Sequence, residues 1–369
     1  MRHDRRFPYG SAVASATFAD AVDEALPEAR DAVARHWAGA RARSAAGGAP
    51  IARLLRDAAD ASAAGKYLRP RLLAAGYLGF GGSDHACLAG LAAAVQVLHS
   101  GLCTHDDLID GDRVRHGAPN AIGRAERDAA AAGLGETSAR RHGLTAGVLA
   151  GDLAIAGALG LLADLPVGAE LRARLVLEAV RAIELTVAGE LLDVHGDDPG
   201  TETPDPLRTA RLKTAVYSFR LPLRLGALAA GTADSGALDA LDRVGDGLGV
   251  AYQLADDDLG LFGAPEDTGK PAGSDVADGT RTLLVHLALE RADRADRARL
   301  IAALGDPRAS SPGIAEVRAI VTRTGARDAA RETARREAER AAETAERELP
   351  GPLGEYLSRA ARSLIRRDR

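Results

Sequence analysis

The chain has 369 residues, long enough for one large core or two of ordinary size. Lys and Arg number 47 against 52 Asp and Glu, a balance of −5, so no basic excess is available to neutralise a phosphate backbone, and nucleic acid is not an expected partner. Apolar residues make up 46% but aromatic ones only 3%, which calls for a core of Ala, Leu and Val and disfavours a sheet protein.

In chain order, residues 1–17 read as a mobile extension. From about residue 18 to the C-terminus, Ala/Leu/Arg/Glu segments with apolar residues three and four apart predict amphipathic and buried helices. Breaker clusters at 76–83, 111–120, 133–138, 196–206, 231–236, 263–279 and 305–313 separate them; each is expected to join helix to helix, with no flanking strand pattern. Three of these loops, notably 263–279, are longer than a bundle needs, and long loops in compact domains are functional or disordered. No low-complexity linker divides the chain, so 18–369 reads as a single all-α domain. Its Arg/Glu/Ala-dense stretch from 327 to 348 reads as a solvated helix.

The first ten residues are charged where a signal peptide is apolar, and Asp152 and Asp164 interrupt the apolar stretch over 147–167, so no membrane span is expected. Two cysteines, Cys87 and Cys103, outside any CxxC pair, are too few for a disulfide framework and fit a reducing, cytoplasmic setting. For Cys103 the simplest role is that of a small packing residue.

The chemistry is concentrated in two acidic clusters. Asp106, Asp107 and Asp110 close an apolar helix, with Asp106 and Asp110 on one face about one turn apart. A helix C-terminus is already negative, so this arrangement is repulsive unless a hard cation such as Mg²⁺ relieves it. Asp256, Asp257 and Asp258 end a second apolar helix, so two acid-tipped helices could face each other across a bundle core. Cations accompany them: Lys66 and Arg69 three apart, Arg115 and His116 after the first cluster, then Lys213 with Thr214, and Lys270. Alternating carboxylates and cations suit a diphosphate substrate. A blander role for His105, next to Asp106, is to solvate the helix end.

On these residues the chain resembles the trans-isoprenyl diphosphate synthases of the polyprenyl synthetase family. Six motifs occur in the family's order: 65–70, 106–110, Arg115, Gly189-Glu190-Leu191-Leu192-Asp193, Lys213-Thr214, and 256–260 with 269–271. The resemblance implies an all-helical isoprenoid-synthase bundle with a central active-site cavity, Mg²⁺ as cofactor and a homodimer. It gives Lys66, Arg69 and His99 to the diphosphate of isopentenyl diphosphate, with His116 as a pH-sensitive contact where the family has a second Arg. It gives Asp106, Asp110 and Asp256 to Mg²⁺, supported by Asp107 and Asp257, and gives Arg115, Lys213, Thr214, Gln253 and Lys270 to the allylic diphosphate. Asp106, Asp110, Lys213 and Asp256 are thereby the implied catalytic set. The implied reaction is ionisation of the allylic diphosphate, attack by the alkene of isopentenyl diphosphate and loss of a proton, with no protein nucleophile.

Two further departures are Gly260, where the family's second motif ends in Asp, with Asp258 as an extra acid, and Glu190 in place of Gln. In the family the product grows beside the first aspartate helix, and an aromatic residue five or four positions before the first Asp stops it at farnesyl length. Here those positions are Gly101 and Leu102, with Leu98 a further turn down, roughly 6 and 12 Å from Asp106 for the two leucines. A geranylgeranyl or longer product is therefore expected, shortened by Gly101→Phe. Two other readings are a class I terpene cyclase, which has no use for Lys66, Arg69 and His99, and a catalytically silent partner subunit, in which the metal motifs would be expected to decay.

Overall fold

A computed structural model describes residues 15–195, 204–232, 234–263, 273, 276–277, 279–305 and 311–366. The chain is all-α apart from one short hairpin among the described residues. The N-terminal helices are α1 (Ser15–Glu24), α2 (Leu26–Arg43) and α3 (Gly48–Ala63). Since α1 begins at Ser15, it overlaps the extension expected over 1–17; residues 1–14 lie outside the described ones. Next come α4 (Leu68–Gly79) and the long α5 (His85–Ile109), whose start is fixed by Asp84 accepting from the Cys87 amide at 3.0 Å.

The loop over 111–120 contains the strands β1 (Val114–Arg115) and β2 (Ala118–Pro119), where only a helix connection was expected. A two-residue turn joins them, and both of its residues have positive φ, His116 at 53° and Gly117 at 73°, as a type I′ turn demands. The strands escaped the sequence reading because two residues are too few to alternate. Beyond lie α6 (Ala121–Ala131), α7 (Glu136–Ala163), α8 (Ala169–His195) and α9 (Pro206–Ala210). A π-helical segment (Arg211–Arg220) then runs straight into α10 (Leu221–Ala229). Pro222, at the start of α10, has no N–H to return to the preceding turn, which favours a change of helical winding there.

The remaining helices are α11 (Ser235–Phe262), α12 (Leu283–Arg291), α13 (Arg294–Ala303), α14 (Ser311–Arg323), α15 (Ala326–Glu348) and α16 (Gly351–Arg366). The main core is Ala- and Leu-rich and fills the space between α2, α4, α5, α7, α8, α10, α11, α15 and α16; a second apolar cluster joins the C-terminal half of α11 to α12–α15. The stretch expected to be a solvated helix is only half so. Ala338, Ala341, Ala342 and Ala345 of α15 are buried, and Gly247 of α11 sits where a Cβ would come within 2.7 Å of the Glu337 carbonyl oxygen. Alanine supplies little apolar bulk but lets two helix backbones approach closely, so this face was masked by its charged neighbours.

Among the described residues two helices, α5 and α7, are long and apolar enough to cross a membrane. The apolar window of α5 is 72% buried inside the bundle, which makes it a core helix; that of α7 is 33% buried, which leaves it an apolar outer face.

Candidate active site

The π segment lies between the two acidic helices and is bonded to both. Lys213 Nζ reaches Asp106 Oδ1 of α5 at 3.3 Å, while the adjacent Thr214 donates to Gln253 Oε1 of α11 at 2.6 Å. Gln253 in turn donates to Asp257 Oδ1 at 2.8 Å, so two consecutive residues tie one aspartate cluster to the other. The approach is close on both flanks. A Cβ on Gly189 of α8 would lie 2.2 Å from the Lys213 amide nitrogen, and one on Gly249 of α11 would lie 2.4 Å from Ala215 Cα. Only glycine permits backbones that near.

Lys213 also bonds Asp193 at 2.6 Å and Glu190 at 3.1 Å. Burial works against its charge, but Asp106, Asp193 and Glu190 outweigh that and hold it firmly protonated. For Glu190 burial dominates and raises the carboxyl above its ordinary value despite Lys213. Arg115, whose charge is likewise maintained against burial, is carried by β1 and spans the first cluster, with Nη2 at 3.3 Å from Asp106 and Nε at 2.8 Å from Asp107.

Asp107 does not face outward with Asp106. It is 3% exposed, its Oδ1 is taken by Arg115, and its Oδ2 accepts from Asn120 Nδ2 at 3.0 Å. Burial, not the engagement of its oxygens, sets it apart from Asp106, whose oxygens also meet Lys213 and Arg115 but on a partly exposed side chain; Asp107 stands behind Asp106 as a brace. The reason is helical geometry, since residue i+1 lies about 100° round from residue i. Asn120 also caps α6, accepting from the Gly123 amide at 2.9 Å, and donates to the Asp112 carbonyl, which locks the hairpin to the first cluster. In contrast, Asp106 is partly exposed and Asp110, the C-cap of α5, is exposed one turn on.

The second cluster does not end its helix as expected, because α11 continues to Phe262. Asp256 is exposed, Asp257 half-buried and Asp258 buried, turned to the opposite side from Asp256. Lys270, with Gly269 and Pro271, lies outside the described residues.

A cationic pocket forms beside the first cluster. Arg69, in the first turn of α4, donates from Nη2 to Ser218 Oγ at 2.8 Å and Tyr217 OH at 3.3 Å, and its Nη1 stands 3.1 Å from His99 Nε2. Arg69 Nε is buried without a hydrogen-bond partner among the described residues. Lys66 is exposed in the turn before α4, where Tyr67 adopts a left-handed conformation at φ 55°. His116 is exposed at the hairpin tip.

Arginine can only donate, so His99 Nε2 accepts and its Nδ1–H faces Cys103 Sγ at 3.3 Å. The neutral ring is enforced by burial first, then by Arg69, Arg115 and His116, which hold its pKa well below 6.5. The unfolded chain accepts a proton here that the folded one refuses, so stability should fall as pH drops below about 6.5. Urea midpoints at about pH 7.5 and about pH 5.5 should show that loss, and His99→Gln should shrink it; an unchanged difference would remove His99 as its source. Burial raises the Cys103 thiol pKa, and its contact with His99 makes it a neighbour of the site rather than packing alone. His105 turns away from Asp106 to α7, 3.3 Å from the Val148 carbonyl oxygen and 3.5 Å from Asp152.

Residues 52–321 match the polyprenyl synthetase family model. The chain belongs to the polyprenyl synthetase family. It is a trans-prenyltransferase with the all-α isoprenoid-synthase fold. It is 32% identical to a geranylgeranyl diphosphate synthase of Sulfolobus acidocaldarius over 67% of this chain and 69% of that protein. It is 33% identical to a (2E,6E)-farnesyl diphosphate synthase of Mycobacterium tuberculosis over 71% of this chain and 68% of that one. The crystal structure of a geranylgeranyl pyrophosphate synthase from Corynebacterium glutamicum, complexed with isoprenyl diphosphate and magnesium, superposes with a TM-score of 0.86 at 29% identity, covering 96% of this chain and 100% of that one.

Within this prenyltransferase, sequence reasoning missed Asn120, Tyr217 and Ser218 and left Asp193 without a partner. Asp193 was legible, three residues after Glu190 on one helix face. Tyr217 and Ser218 were not, because the π winding and a separation of 148 and 149 residues from Arg69 bring them in. Of the chain-length positions, Leu98 is part of the core, Leu102 is half-buried against it, and Gly101 packs on α7. A Cβ on Gly101 would lie 3.0 Å from Ala154 Cβ and 3.1 Å from the Gly151 carbonyl oxygen, so a phenylalanine there would force α5 off α7 before meeting a product.

Proposed function

We propose that the chain condenses isopentenyl diphosphate with dimethylallyl, geranyl or farnesyl diphosphate, in a Mg²⁺-dependent reaction, to a trans-polyprenyl diphosphate of geranylgeranyl length or longer. The observation that carries this reading is the bridge from Asp106 through Lys213 and Thr214 to Gln253 and Asp257. It gathers cations and carboxylates from helices remote in sequence into one site for a diphosphate.

The donors fit a hard divalent ion. Asp106 and Asp110 offer oxygen ligands on one accessible helix face, with Asp256 exposed on α11. Bound there, Mg²⁺ supplies charge stabilisation to the departing diphosphate. Arg115 and Lys213 are preorganised by their carboxylates and bind the allylic diphosphate oxygens, with Lys270 completing the set; Thr214 and Gln253 orient Lys213's helix and Asp257. Arg69 and His99, ordered by Tyr217 and Ser218, hold the diphosphate of isopentenyl diphosphate together with Lys66 and His116. Water exclusion falls to the apolar wall of α5, where Leu98 and Leu102 flank the growing chain.

The relatives of nearly equal identity make geranylgeranyl and farnesyl diphosphate, so product length rests on Leu102 and the missing aromatic ring at 101 and 102. The purified chain, incubated with isopentenyl diphosphate and each allylic diphosphate, should release geranylgeranyl or longer product on chromatography and none in excess EDTA. Leu102→Phe should shorten it. Farnesyl diphosphate as the sole wild-type product would overturn the length assignment; hydrocarbon release without isopentenyl diphosphate would favour a terpene cyclase.

We also assign a second copy of the chain to the outer face of α7 and α8. Leu144, Val148 and Leu149 of α7 and Leu177, Leu191 and Val194 of α8 stand exposed, and this many large apolar side chains on two helices in contact call for a cover. Sedimentation should give a dimer; a monomer at all concentrations would refute this.

A further inference from the structure

Asp258 interrupts the second acidic cluster with a side chain that points the wrong way for a metal ligand. It is buried, its side chain 5% exposed, and two arginines of α15 one turn apart grip it. Arg327 makes a forked pair, Nε to Oδ1 at 2.8 Å and Nη2 to Oδ2 at 3.1 Å, and Arg331 Nη2 adds a bond to Oδ2 at 2.8 Å. The flat face of the Arg327 guanidinium lies over the Phe262 ring of α11, 3.6 Å from its centroid. One residue before that ring, the Leu261 carbonyl accepts from Arg318 Nε of α14 at 2.6 Å. The last two turns of α11 are thus fixed in rotation from behind by α14 and α15, while Asp256 and Asp257 project from the front.

A buried carboxylate under two partly exposed guanidiniums is a poor way to gain stability, because desolvating the carboxylate offsets much of the attraction, and apolar side chains of similar volume would serve as well. What the cluster supplies is direction: forked bonds define an angle that apolar packing leaves loose. It also places a summed charge of +1 directly behind two aspartates that repel each other. Arg327 and Arg331 lie outside residues 52–321, the span that matches the family model.

We propose that Asp258, held by Arg327 and Arg331, is a positioning residue that sets the rotation of the end of α11 and so the aim of Asp256 and Asp257 into the active site. The inference rests on the assignment of Asp256 to the metal–diphosphate site, and the two are separable by experiment. The probe is inorganic diphosphate with Mn²⁺, whose binding to the full-length chain is read by calorimetry and by the Mn²⁺ electron paramagnetic resonance signal, without turnover. Asp256→Ala tests the underlying assignment and should abolish binding. Asp258→Asn should weaken it about tenfold or more, the usual cost of losing a group that orients a metal ligand, and should lower kcat while leaving the KM for isopentenyl diphosphate unchanged.

Arg331→Lys keeps the charge but loses the fork, and should give a smaller loss of the same kind in a chain that still folds. Arg335→Gln, which breaks only an exposed pair with Glu332 on the same helix, should change nothing. If Asp256→Ala binds like wild type, the site assignment is wrong. If Asp256→Ala loses binding while Asp258→Asn and Arg331→Lys lower only the melting temperature, the brace is structural and the proposal is overturned. Should Asp258→Asn fail to fold, wild-type binding by Arg331→Lys would overturn it equally.

Discussion

Asp106→Ala should lower kcat by about 10³-fold while leaving the melting temperature within a few degrees of wild type. The magnitude is the upper end of what one preorganised electrostatic group contributes to a transition state, and Asp106 is placed to contribute that much because it is shared. Its Oδ1 pairs with Lys213 and its Oδ2 with Arg115, so the one carboxylate aligns two cations, which the proposed function assigns to the allylic diphosphate, and is itself assigned there to the metal. The fold does not depend on it. With Asp106 gone, Lys213 keeps Glu190 and Asp193, Arg115 keeps Asp107, and the side chain removed was partly exposed. Asp107→Ala should behave in the opposite way. It leaves Arg115 and Asn120 donors without their acceptor inside the protein, which costs about 1–3 kcal/mol of stability, and damages turnover through the displaced hairpin. Thermal melts beside kcat separate the two phenotypes. Full activity in Asp106→Ala, or a stability loss in it equal to that of Asp107→Ala, would refute this division of labour.

That division shows where a sequence is legible and where it is not. Asp106 and Asp110 are four apart, and four residues on a helix return to the same face, so their pairing follows from spacing alone. The same rule, applied one step further, separates Asp107 and Asp258 from their neighbours by about 100° and 200°, yet a run of identical acids reads as one cluster until the burial of each face is known. Long-range closure is the harder limit. Nothing local to residues 211–220 announces π winding, and nothing in Tyr217 or Ser218 points to Arg69, whose partners are set by how α4 packs on α10. Residues 326–348 illustrate the reverse failure: Ala at spacings of three and four was present, but its small side chains carry too weak an apolar signal to outweigh the surrounding Arg and Glu.

Gly189→Ala should cost about 1–3 kcal/mol in stability and reduce kcat by about 10²-fold, although the residue contacts no substrate. The added Cβ would lie 2.2 Å from the Lys213 amide nitrogen and 2.7 Å from its Cα. These are backbone atoms, so no rotamer change relieves the clash, and α8 must part from the π segment. Lys213 Nζ is tied on both sides of that gap, to Asp193 and Glu190 on α8 and to Asp106 on α5, so a parting of about 1 Å breaks one set of bonds or the other. A displacement of that size in a positioned charge is enough for the predicted loss. Thr214 moves with its neighbour and loosens Gln253 and Asp257, so both acidic clusters are affected by one methyl group. Gly351→Ala is the matched control, because a Cβ there meets nothing within 4 Å and both stability and turnover should stay at wild-type values. A folded Gly189→Ala enzyme with unchanged kcat would show that the site tolerates movement of Lys213, and the bridge between the clusters would then not be what organises it.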